Sequence, residues 1–393
     1  MSESTTPEGE GQAIEGQRAV RWVERSEELA PLVQGIGAGP FAMDTEADSF
    51  HSYREKVCLI QLSFSVTDVL VDPLTGMDLS SLAGPLEAPL VRTVLHGADY
   101  DIRLLERDCG LRVRGVFDTM IAARLVGERA FGLSALLEKF LGVRLDKRFQ
   151  RADWSVRPLP PEMELYAVHD TRHLLELAGV LQERLGESGR TAWAEEEFRR
   201  VERVRWETQR DEADVWLRVK GLRSLPASRR GVLRAVARLR ESTARRRDVP
   251  PFRVMRDEVL LELARISPRG RRQLEQLRGL GRGWRSGEAA GELLAVIEQA
   301  LELKPADWPE VPPPAPRRPL SPGQEKLLRQ LKTARDEIAE RLGLEPSVVA
   351  SRRVLERVVG ALLEQRPIEE IEELRQWQRG VLEPAIERLT GRA

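Results

Sequence analysis

The stretch FAMDTEADSF, Phe41 to Phe50, closes an apolar run with two carboxylates, Asp44 and Glu46, set two positions apart. Its apolar start reads as a buried strand. Alternate side chains of a strand share a face, so both acids point the same way. Like charges on one partly buried face repel and lose hydration. A strand that keeps them needs a compensating cation or an end open to water.

Outward from this stretch, VCLIQLSF (57–64) and DVLVDPL (68–74) are short, apolar and bounded by turn residues, and read as strands. Three strands before any long helix predict an antiparallel or mixed sheet. TVLHGA (93–98) is a further strand. It runs into DYDIRLLERDCG (99–110), where Ile102, Leu105 and Cys109 have helical spacing and Gly110 suits a C-cap. DTMIAARLVG (118–127) and GLSALLEKFLG (132–142) read as helices ended by glycine, and residues 160–186 as one long helix with proline at its start.

Past Leu185 strand signals fade into helical text dense in Arg and Glu. Residues 225–247 form one helix, 249–255 a loop, 257–265 a helix capped by Asp257, and 267–279 and 286–303 two more. The proline-rich stretch 304–323 reads as a semi-rigid linker. Helical text resumes at Gln324, and PSVVASRRVLERVV (346–359) parallels VPPFRVMRDEVLLELA (249–264), a degenerate repeat. The expected organisation is a tail over 1–18, an α/β domain over 19–190, a connecting helix over 191–209, helical domains over 210–303 and 324–393, and the linker between them.

The chain of 393 residues suits two or three domains. Its formal net charge of -1 excludes a polycation, so any nucleic-acid surface is local. Cys58 and Cys109 stand in no CxxC or Cys/His cluster, which argues against a zinc site or disulfide framework. No apolar run reaches the ~20 residues that span a bilayer, and the N-terminus lacks the features of a secretory signal, so the cytoplasm is the expected location.

Further acids join the opening pair. Asp101 falls in the first turn of the helix after TVLHGA, where an acid also serves the helix dipole. Tyr166 and Asp170 stand four apart on one helix face. Four carboxylates and a tyrosine thus come from three elements that could converge. Hard divalent cations prefer oxygen ligands, and two of them about 4 Å apart clamp an in-line phosphoryl displacement. Each acid has a structural alternative as cap or surface charge, and spacing alone leaves the function open.

Three motifs together, FAMDTEADSFHSYREKVCLIQLSF, LHGADYDIRLLERD and LDKRFQRADWSVRPLPPEMELYAVHD, resemble ribonuclease D and its exosome relatives, within the DEDD superfamily of 3′-5′ exonucleases. The resemblance covers about residues 41–177. It implies an RNase H-like α/β fold, a mixed sheet flanked by helices, and catalytic residues Asp44, Glu46, Asp101, Tyr166 and Asp170, the four acids holding two Mg²⁺ or Mn²⁺ ions. Leu165, five before Asp170, and Tyr166, four before it, match the tyrosine branch. WLRVKGLRSLPASRRGVLRAVARLRESTARRRDVPPFRVMRDEVLLELA resembles an HRDC domain, implying one or two all-α HRDC-type modules after the exonuclease.

Between Leu217 and Arg247 stand eleven Lys or Arg and one acid, Glu241. Arg230, Arg234 and Arg238 share a helix face and are the candidate nucleic-acid contacts, against the alternative of a merely solvated face. Trp216 and Trp284 suit core packing better than base stacking. The implied activity is metal-dependent 3′-5′ hydrolysis of RNA with a single-stranded 3′ end, tRNA precursors among the substrates, to nucleoside 5′-monophosphates. A DNA exonuclease uses the same motifs, and a non-catalytic RNA-binding adaptor would keep the fold without the full residue set.

Overall fold

The computed structural model describes residues 18–37, 39–206, 212–313 and 320–391. All but the last residue of the expected tail, the end of the connecting helix and six residues of the expected linker lie outside that range. Six strands, β1 (Ala19–Val23), β2 (Phe41–Ala47), β3 (Val57–Phe64), β4 (Thr67–Val71), β5 (Thr93–Leu95) and β6 (Val116–Asp118), form one mixed sheet in the order β1-β4-β3-β2-β5-β6. β2, β3 and β4 make an antiparallel meander, while β1, β5 and β6 pair parallel to their neighbours. β3 is buried at every residue, which explains its unbroken apolar run. β6 holds only three residues, too few to show alternation, and neither it nor β1 was expected as a strand.

The expected helix over 160–186 is two helices, Pro161–Arg172 and Leu174–Glu187, broken at His173. The halves answer to different partners. Pro161–Arg172 lies across β3, β4 and β2, while Leu174–Glu187 packs on helices Thr119–Leu125 and Leu133–Leu141. Under the first half, Leu59, Leu70, Trp154, Tyr166 and Ala167 form an apolar cluster apart from the main core. Arg157 pins the intervening connector by donating to both carboxylate oxygens of Asp72 and to the carbonyls of Cys58 and Trp154.

Two helical units follow that share four helices in one order, the first with an extra short helix, Arg271–Gln276, before its last. Each opens with a helix of 21 residues, Ala227–Arg247 or Pro322–Leu342, turns through a left-handed residue into a four-residue helix, Pro251–Val254 or Pro346–Val349, continues through Asp257–Ile266 or Arg352–Leu363, and closes with 15 residues, Gly287–Leu301 or Gln376–Thr390. A buried arginine recurs at the fourteenth position of each long helix. Arg240 donates to the Met255 carbonyl and Arg335 to the Ala350 carbonyl, each tying the long helix to the residue after the short one. The stretch expected as a loop at 249–255 is therefore a one-turn helix, and Arg256 takes the N-cap position expected of Asp257.

The first unit has its own core, which includes Trp216 and Trp284. The described part of the expected linker folds back on it. Val311 packs against that core, and the Trp308 indole donates to the Leu303 carbonyl. The second unit shares the core of the α/β domain. Helix Thr191–Val201 carries the join, with Trp193 stacked on Trp377 at 4.6 Å and Glu197 accepting from Arg375 and the Trp377 indole. The backbones come so close that a Cβ on Gly127, at φ 92°, would stand 2.5 Å from the Gly343 carbonyl oxygen.

Candidate active site

β2 carries Asp44 and Glu46 on one face at its C-terminal end, where the ladder with β3 slips by one residue between Glu46 and Ala47. β5 pairs only with Phe41 and Ala42, so β2 has an open edge beyond them. After β5 the chain turns at Gly97, with φ 76°, into helix Asp99–Leu104. That turn hangs on Asp118. Its carboxylate accepts from the backbone N–H groups of Gly97 and Ala98 on one side and of Met120 and Ile121 on the other. The helix beyond the turn sets Asp101 beside β2, where it accepts a hydrogen bond from the Thr45 hydroxyl at 2.5 Å. This helix runs on through a wider π turn, Leu105–Cys109, to the left-handed Gly110.

Helix Pro161–Arg172 brings the third element. Asp44, Glu46 and Asp170 each offer a carboxylate oxygen, and these atoms lie within 4.8 Å of one another. Asp101 stands outside that trio yet close enough to press on Asp44 and Glu46 electrostatically. Tyr166, one turn before Asp170, has its ring edge-on to Phe149 at 5.8 Å and tilted on Trp154 at 5.9 Å. The four acids and the tyrosine expected from the motifs therefore gather at one place.

The cluster is electrostatically uncomfortable by itself. Burial, then the charges of Asp101, Asp170 and Glu46, push the Asp44 carboxyl well above the usual range. Burial and then Asp170 and Asp101 do the same to Glu46. Burial lifts Asp101 to about 6, opposed by the Thr45 hydroxyl, and lifts Asp170 to about 7. The Tyr166 hydroxyl is raised by burial and then by the nearby acids, so it stays a neutral donor. Clustered hard oxygen donors that resist ionisation together suit a divalent cation, which removes their repulsion. Burial also lowers His96, whose Nδ1 lies 2.9 Å from the Thr119 hydroxyl. His169 is lowered by burial and Arg172.

Arg230 and Arg234 are half-buried and Arg238 is exposed. The end of their helix that meets the α/β domain is the other one. The loop that follows Glu46 docks there. Tyr53 donates its N–H to Asp248 and its hydroxyl to Glu241, and Arg253 reaches the His51 ring at 3.1 Å. Sequence reasoning passed over Thr45, Asp118 and this junction, because each works through a partner distant in the chain.

Residues 20–186 match a family model described as a 3′-5′ exonuclease, and residues 229–297 match the HRDC domain. A ribonuclease D of Granulibacter bethesdensis is 33% identical over 86% of this chain and 85% of its own length. The crystal structure of Escherichia coli RNase D, described as an exoribonuclease involved in structured RNA processing, superposes with a TM-score of 0.69 at 27% identity, covering 95% of this chain and 99% of that one. The catalytic core of RRP6 from Trypanosoma brucei superposes at 0.66 with 28% identity over 74% of this chain and 83% of its own. With a full-length match of this kind, an exonuclease fold and an HRDC module behind it, the chain belongs to the ribonuclease D family of 3′-5′ exoribonucleases.

Proposed function

We infer that the enzyme shortens RNA one nucleotide at a time from a single-stranded 3′ end, releasing nucleoside 5′-monophosphates, with tRNA precursors among its substrates. The observation that carries the chemistry is the convergence of Asp44, Glu46 and Asp170 within 4.8 Å from elements more than a hundred residues apart. Asp44, Glu46 and Asp170 would hold one divalent ion, Mg²⁺ or Mn²⁺, and Asp44 with Asp101 a second. Bound there, such ions lower the pKa of the attacking water and stabilise charge on the phosphoryl and leaving oxygens.

The chain's own groups do the positioning. The Tyr166 hydroxyl, neutral and one helical turn from Asp170, orients the attacking water in line with the terminal phosphodiester. Water adds to phosphorus, the bond to the 3′ oxygen breaks, and the phosphate leaves on the 5′ side of the released nucleotide. The Thr45 hydroxyl fixes one oxygen of the Asp101 carboxylate at the edge of β2, and Asp118 holds the turn that leads to it.

Arg230, Arg234 and Arg238 contact phosphates of the RNA body in this reading. Support comes from the charge of this segment, eleven Lys or Arg against one acid between Leu217 and Arg247, while the far end of the helix is the one that docks on the loop leaving Glu46. A 5′-labelled RNA with a 3′ tail, and its DNA counterpart, incubated with Mg²⁺, Mn²⁺ or EDTA, test the whole reading. A metal-dependent ladder on RNA that Asp44→Asn abolishes is the expected result. Cleavage of DNA alone, or cleavage in EDTA, would overturn it.

A further inference from the structure

Gln61 is fully buried, and neither its amide nitrogen nor its amide oxygen has a hydrogen-bond partner among the described residues. An apolar side chain would fill the same space without leaving two polar atoms unmet. The position of this amide gives it a use. In the β2–β3 ladder Gln61 stands directly opposite Asp44, so the two side chains share a face with their Cβ atoms about 4.5–5.5 Å apart. On its other side Gln61 pairs with Leu70 of β4, which offers nothing polar from its side chain.

The neighbours on its own strand fix which way that face looks. Leu59 belongs to the cluster of Tyr166 and Ala167, and the Ser63 hydroxyl lies 2.7 Å from that of Thr171. Both therefore meet helix Pro161–Arg172, and Gln61, midway between them, faces it too. The amide thus sits in the floor of the acidic site, beneath the helix of Tyr166 and Asp170 and beside Asp44. Ser63 is already occupied by Asp68 and Thr171, so it does not compete for the amide.

We propose that Gln61 is a positioning residue for the metal site, its carboxamide N–H donating to the Asp44 carboxylate when that carboxylate is ionised around a cation. This role rests on the metal reading above. A donor in the floor fixes the rotamer of Asp44 and leaves its outer oxygen lone pairs for the ion. It does so without adding a positive charge that would compete with the cation for Asp44. Groups that hold a metal ligand in this way are generally worth 10- to 100-fold in metal affinity.

The test uses the full chain and Gln61→Met, which keeps the unbranched length of the side chain and removes both polar atoms. Mn²⁺ binding is measured by titration calorimetry, RNA cleavage by steady-state kinetics and the metal-free fold by thermal melting. The expected result is Mn²⁺ affinity weakened about tenfold or more. It is joined by a lower kcat at a KM for RNA within about twofold of wild type, and a metal-free melting temperature that is unchanged or higher. A residue that merely packs would move the melting temperature and spare the Mn²⁺ affinity, and that pattern would overturn the proposal.

Wild-type protein that bound no Mn²⁺ would overturn the metal reading and the Gln61 role with it. Wild-type binding matched by the variant would overturn the Gln61 role alone. If Gln61→Met does not fold, the Gln61 side-chain amide resonances of the wild-type protein decide. They shift on addition of Mg²⁺ if the amide meets Asp44, and stay in place if it does not.

Discussion

Asp101 differs from the other three acids in being held by a hydroxyl and lying outside the close trio. Asp101→Asn keeps the shape and a hydrogen-bonding partner for Thr45 but loses the charge. In metal-free protein at neutral pH it should melt at or above wild type, because the charge it removes is one that burial penalises, and it should cleave RNA about 10²–10³-fold more slowly, measured in single-turnover assays. Tyr166→Phe keeps the ring contacts with Phe149 and Trp154 and removes the orienting hydroxyl, and should lower kcat about 10²-fold with the RNA affinity unchanged.

The raised acids also predict a pH effect whose sign follows from linkage. A carboxyl whose folded pKa exceeds its unfolded value adds stability that is complete below the unfolded value, about 4, and is lost as pH climbs through the folded value. Asp101 and Asp170, at about 6 and about 7, place that loss between pH 4 and pH 7 in metal-free protein. Asp44→Asn relieves part of the repulsion. In EDTA it should melt a few degrees above wild type at pH 7.5, with the gap closing toward pH 5. Saturating Mg²⁺ should reverse the order, because only the wild type keeps the full site. The spacing of Asp44 with Glu46 and of Tyr166 with Asp170 was legible because strand and helix periods are local. Thr45 was not, because its hydroxyl matters only through a partner 56 positions away.

Single elements owe their placement to a few buried polar groups. Asp118 accepts four backbone N–H groups, capping helix Thr119–Leu125 and holding the turn before Asp101 at once. Asp118→Ala should cost about 2–4 kcal/mol of stability in denaturant unfolding and should lower cleavage as well, since the turn that delivers Asp101 loosens. The three-residue β6 that ends in Asp118 left no alternation to read. Likewise nothing in residues 160–186 marked the break at His173, for the helical pattern runs through it. The two halves diverge because one follows the sheet and the other follows the helices beside it. Glycine-ended helices were readable ahead of time, and Gly110 and Gly142 do adopt left-handed caps.

Across the whole molecule the two helical units are attached differently despite their common plan. The first keeps its own core, while the second buries Leu331, Val354 and Trp377 in the core of the exonuclease domain. Trp377→Ala should therefore destabilise the α/β domain itself, by about 3–5 kcal/mol, seen as a lower melting temperature of the intact protein. For the basic helix, replacing Arg230, Arg234 and Arg238 with Gln should weaken RNA binding and flatten its dependence on salt by about two ions released. An unchanged slope would move the RNA path to the end near Tyr53 and Arg253.

Four of the six strands, the general run of helices, the spacing of the acids within each motif and the helical repeat follow from local rules of period, capping and turn chemistry, so the chain read alone is enough for them. Tertiary structure decided what depends on contacts far apart along the chain. It sets Asp101 on Thr45 across the open edge of β2 and hangs the preceding turn on Asp118. It also puts the amide of Gln61 in the floor beside Asp44 and joins the last helices to the exonuclease core. Residues read one at a time as core, cap or linker take on these roles only when packing brings their partners within hydrogen-bonding or van der Waals reach.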